Sequence, residues 1–131
     1  MDFEKAKEAI AGLTGQAEEL IRDPGKIEVL LQQLEEKIKE VPVAGEALSK
    51  LPLMISMIRS YITKEYTEVS PKVIVTLLAA ILYLLKGKDL IPDKIPVLGY
   101  ADDLAVFAAA FLIDEPELNA YSQWRLESGK V

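Results

Sequence analysis

The sequence predicts an all-α fold, a compact bundle of about five or six helices around a central apolar helix at about residues 71–86. Three observations predict it. Apolar residues recur at spacings of three and four along nearly the whole chain, the period of one helical face. Residues 73–85, VIVTLLAAILYLL, are apolar on every side, which places that helix inside the bundle. No stretch alternates apolar and polar residues as a half-buried strand would. The chain has 131 residues, half of them hydrophobic, so 1–131 reads as a single domain able to build a sizeable core. Within it, 1–60 carries amphipathic N-terminal helices, 61–113 a helix–loop–helix core and 114–131 a C-terminal helix.

The elements follow in order. Phe3, Ala6, Ile10, Leu13, Ala17 and Leu20 form one stripe of a first helix, which Gly12 and Gly15 weaken. Asp23-Pro24 reads as an N-cap followed by proline at the first helical position. The second helix buries Ile27, Leu30, Leu31, Leu34 and Ile38, and solvates Gln32, Gln33, Glu35, Glu36 and Lys39. Pro42 and Gly45 break the chain. The third helix spans about 46–64, and Pro52 inside it predicts a kink or a start near Leu51. Ser70-Pro71 repeats the cap-and-proline pattern and opens the apolar fourth helix, which runs to about Leu85. Lys86 and Lys88 suit the negative end of its dipole, and Gly87 can close it in the left-handed conformation. A fifth helix is expected from about Asp102 to Ile113. A sixth opens at Asp114-Glu115-Pro116 and runs to about Leu126, with Leu118, Tyr121 and Trp124 turned inward or into a partner.

Composition excludes several functions. The 15 basic and 21 acidic residues leave a net charge of −6, the wrong sign for neutralising nucleic-acid phosphates or for purely electrostatic attachment to anionic lipid. With no cysteine and no histidine, disulfides, thiolate nucleophiles, Cys/His zinc sites and histidine acid–base catalysis all fall away. The charged N-terminus lacks the basic and apolar regions of a signal peptide, so a cytoplasmic chain that is not secreted is expected. The apolar runs hold 13 and 10 residues, against about 20 needed to cross a bilayer. Buried core helices fit those lengths better than membrane spans.

Between those runs lies DLIPDKIPVLGYADD, Asp89 to Asp103, with four aspartates, two prolines and a glycine. The capping interpretation gives each aspartate a structural role. Asp89 caps a one-turn helix at 90–94, Asp93 pairs with Lys94 or Lys88, and Asp102 and Asp103 serve the positive end of the next helix. Pro92, Pro96, Gly99 and Tyr100 shape the turn, while Leu90, Ile91, Ile95, Val97 and Leu98 plug it onto the core. The alternative is a divalent-cation site, structural or hydrolytic, in which Asp89, Asp93, Asp102 and Asp103 converge on Mg²⁺ or Ca²⁺. No DxDxDG calcium loop supports it. Ser70 and Lys72 could form a nucleophile pair, but a helix cap is the better use of Ser70. Tyr61, Tyr66 and Tyr83 read as core or rim aromatics.

The segment from Tyr83 to Leu104, YLLKGKDLIPDKIPVLGYADDL, resembles the signature of the YkvA-like family of bacterial proteins, a domain of unknown function. The resemblance extends over about 61–112, and Gly87 stands where the family usually has proline. It implies no catalytic residues, because the family has no assigned activity. It implies membrane association more strongly than segment length does, and the domain also occurs beside other modules, including a ubiquitin-ligase RING.

The residues and the resemblance together point to a non-enzymatic helical module that binds a protein partner, associates with itself or docks on a membrane. No catalytic or cofactor-binding residue is assigned. The cation-binding protein and an intramembrane helical hairpin are the alternatives.

Overall fold

The computed structural model describes residues 3–40, 46–90 and 100–129. These form six helices: α1 (Phe3–Ala11), α2 (Thr14–Leu20), α3 (Pro24–Glu40), α4 (Glu46–Ile62), α5 (Pro71–Leu90) and α6 (Tyr100–Glu127). No strand occurs among the described residues, and the all-α expectation holds.

The expected first helix is two helices. At Gly12 and Leu13 the ladder tightens, and the Leu13 N–H reaches the Ile10 carbonyl at 3.0 Å. The Thr14 hydroxyl donates to the Ala11 carbonyl at 2.9 Å. Glycine makes this break cheap. It costs no core contact, because Ala9, Ile10, Leu13 and Ala17 stay buried through it.

The next two starts are as the sequence predicts. Asp23 Oδ1 accepts the Lys26 N–H at 3.2 Å and Pro24 opens α3. Ser70 Oγ accepts the Lys72 N–H at 3.2 Å and Pro71 opens α5. Each satisfies an N–H that the first turn leaves unbonded.

Helix α4 runs unbroken through Pro52, with no new start at Leu51. Pro52 is exposed, and Leu51, Met54, Ile55, Met57 and Ile58 are buried on both sides of it. Core burial there outweighs one lost ladder bond. The end of α4 is a Schellman closure. The Glu65 N–H reaches the Ser60 carbonyl at 2.9 Å and the Lys64 N–H reaches the Tyr61 carbonyl at 3.1 Å. Lys64 takes the left-handed conformation, φ 66°.

Every residue from Leu77 to Leu84 is buried, so α5 is apolar all round because protein surrounds it. It packs against α1, α2, α3 and α6. Gly87 does not close the helix, which continues to Leu90. Lys86 and Lys88 therefore lie within α5 and not beyond it.

The largest departure concerns the C-terminal third. The expected fifth and sixth helices are one 28-residue helix that passes through Pro116. Asp114-Glu115-Pro116 has the local look of a helix start. Yet Ala110, Asp114, Leu118 and Tyr121 follow one another at spacings of three and four and are all buried. The helix packs against α1, α4 and α5. Proline removes only the bond to the Leu112 carbonyl, on the exposed face.

Candidate functional site

The acidic segment is bracketed by α5 and α6, which pack on each other. Asp89 lies in the last turn of α5, and the one-turn helix expected at 90–94 lies, beyond Leu90, outside the described residues. Asp102 and Asp103 are the third and fourth residues of α6, which starts at Tyr100 and so moves Asp102 off the cap position. Asp93, Pro92, Pro96 and Gly99 lie outside the described residues, as do the side chains of Asp89, Tyr100, Asp102 and Asp103. Among the described residues, no group of three or more acidic, histidine or cysteine side chains is placed to hold a metal ion.

One carboxyl is placed unusually. Asp114 is 3% exposed, and among the described residues its Oδ2 has no hydrogen-bond partner. Burial first, and the neighbouring charge of Glu117 second, push its pKa up to about 7 from 3.8. The sequence signal for this burial was the four-residue spacing Ala110–Asp114–Leu118, which the adjacent Pro116 overrode.

Polar contacts tie the outer helices together. The Tyr121 hydroxyl is 2.6 Å from Ser56 Oγ and 2.9 Å from Ser60 Oγ, fastening α6 to α4. Tyr66, Tyr121 and Trp124 form an aromatic cluster with ring centroids 4.9 to 5.6 Å apart. Burial, then Glu117 and Glu68, raise the pKa of Tyr66. Arg59 on α4 reaches Glu28 at 2.9 Å and Glu35 at 2.6 Å on α3. These bonds, that to Glu35 foremost, hold its guanidinium firmly charged. Ser70 is a cap, bonded to the backbone of Lys72. Tyr66 and Tyr83 are buried and Tyr61 is half-buried, matching their expected core and rim places.

Among the described residues, two surfaces with exposed aliphatic side chains stand out, besides Leu126 near the end of α6. On α6, Leu112 is 63% and Ile113 43% exposed, and Pro116 and Ala120 are exposed on the same face. Between α3 and α5 lie two adjoining shallow grooves of about 400 and 380 Å³. Leu82 borders the first and Leu85 the second, and Val29, 53% exposed, borders both.

A helical bundle around an apolar helix, with an acidic segment between its last two helices, is the class these features define. The chain belongs to the family described as "Protein of unknown function (DUF1232)", whose model matches residues 73–109, from α5 across the acidic segment to the buried Ala109 of α6. It is 33% identical over 82 residues to the "Uncharacterized membrane protein YkvA" of Bacillus subtilis (strain 168). That match covers 63% of this chain and 77% of the relative. No solved structure matches. Among the described residues, no helix is long and apolar enough to cross a membrane.

Proposed function

We propose that the protein is a non-enzymatic helical module that docks on the surface of a lipid bilayer through the outer face of α6. The observation that carries this reading is the exposure of Leu112 and Ile113, 63% and 43%, beside the exposed Pro116. Large aliphatic side chains side by side in water are a cost that insertion between headgroups removes. The name of the Bacillus relative, a membrane protein, agrees with it. The net charge of −6 directs the docking to uncharged headgroups, by apolar insertion and not by charge attraction. The absence of a membrane-crossing helix among the described residues favours a surface mode over a span.

The test is flotation with phosphatidylcholine vesicles. Wild-type protein should float with the vesicles, and Leu112→Ser combined with Ile113→Ser should stay behind. Each substitution removes about 1 kcal/mol of insertion energy, so the pair lowers partitioning roughly thirtyfold. Equal flotation of variant and wild type, or none by either, removes the proposal.

A further inference from the structure

The outer face of α6 does not end at Leu112 and Ile113. It continues through Pro116, Asn119 and Gln123 to Leu126, which is 60% exposed. Leu112, Asn119 and Leu126 stand seven residues apart, close to two turns each, so they fall in one row along the helix. The row is about 21 Å long at 1.5 Å per residue. Its two ends are aliphatic, and its middle is amide, proline and alanine. From Leu112 to Leu126 every exposed residue of α6 is uncharged. The charged residues of that span are buried, as Asp114 is, or half-buried, as Glu115, Glu117 and Arg125 are. In a chain that is 27% charged, this row departs from the usual solvated face of a surface helix.

Resting on the docking reading above, we propose that the protein is a sensor of lipid packing: α6 lies flat in the headgroup layer along this whole row and selects strongly curved, zwitterionic bilayers. Anchors at both ends of one helix enter together only if its axis lies in the membrane plane. The headgroup layer is wet, so the Asn119 and Gln123 amides between the anchors stay hydrated there, whereas a protein groove would have to supply both with partners. With no exposed cation on the face, no charge attraction draws the helix to the surface before it inserts. Binding then depends on gaps between headgroups that admit a leucine side chain. Such gaps multiply as a bilayer curves, and a flat, tightly packed one offers few. The net charge of −6 opposes anionic lipid, which leaves zwitterionic headgroups as the target.

The test is flotation of the full chain with phosphatidylcholine vesicles of about 30 nm and about 200 nm diameter at equal lipid, which differ in curvature and not in chemistry. The small vesicles should carry several times more protein. Leu126→Ser should lower that binding about fivefold, the share of one aliphatic anchor. Exchanging about a fifth of the phosphatidylcholine for phosphatidylserine should lower it too. The chain has no cysteine, so Asn119→Cys carries a single polarity-sensitive dye at the middle of the row. Its emission should shift to the blue on small vesicles. Both substituted side chains are exposed, and circular dichroism checks that the helices are intact. Equal binding to both sizes, stronger binding with phosphatidylserine, an indifferent Leu126→Ser or an unshifted dye overturns this proposal, while an intact effect of the Leu112 and Ile113 substitutions leaves docking itself standing. A chain that floats with neither size overturns both.

Discussion

Replacing Asp114 by asparagine should make the protein more stable above neutral pH and change little near pH 4.5. The carboxyl has a pKa of about 7 in the folded chain, against 3.8 as the ordinary value. The folded state therefore holds a proton that the unfolded state has released. A raised acid pKa gives stability that is fully present below the unfolded pKa and is lost as pH rises through the folded one. The loss begins near pH 4 and is complete just above pH 7. Three pH units at about 1.4 kcal/mol each set an upper limit of roughly 4 kcal/mol. Small movements that wet the carboxylate would reduce it to about 2 kcal/mol. The asparagine side chain cannot ionise, so the stability gap between variant and wild type should widen by that amount from pH 4.5 to pH 8. Urea unfolding followed by helical circular dichroism at pH 4.5, 6 and 8 measures the gap. All other carboxylates are common to both proteins and cancel in the difference. Parallel curves across the three pH values would refute the reasoning, because they would mean that Asp114 is solvated or paired when ionised.

Two further outcomes follow from the same geometry. Tyr121→Phe keeps the ring in the aromatic cluster but removes the hydroxyl bonded to Ser56 and Ser60; it should cost about 1 to 2 kcal/mol in urea unfolding, with the core packing unchanged. Lys64→Gly should raise stability by about 1 kcal/mol, seen as a melting temperature a few degrees higher, because the left-handed backbone at φ 66° carries no side-chain penalty in glycine.

Much of the fold was legible because its causes are local. Asp23-Pro24 and Ser70-Pro71 cap α3 and α5 as written, since the cap, the fixed proline φ and the missing N–H act within one turn. Gly87 misled the reading of the end of α5, because one glycine in a helix costs only about 1 kcal/mol and the helix passes through it. The expected turn of the acidic segment lies outside the described residues, and the family match spans it. The buried carboxyl of Asp114 was not read, although its spacing from Ala110 and Leu118 was available.

The sequence by itself determined an all-α chain, its two capped starts and a central helix from residue 73 to 85 that had to be surrounded. A run apolar on every side has no other stable place in water. Tertiary structure alone decided that Pro52 and Pro116 lie inside helices, that Asp114 faces inward, and which aliphatic residues stay outside. A helix start and a mid-helix proline can share the same three residues. What separates them is whether side chains on both sides are buried along one face, as Ala110 and Leu118 are on either side of Pro116. Proline's cost is one bond and some crowding, about 3 kcal/mol. The side chains buried on both sides of Pro116, Ala109, Ala110, Leu118 and Tyr121, together outweigh it.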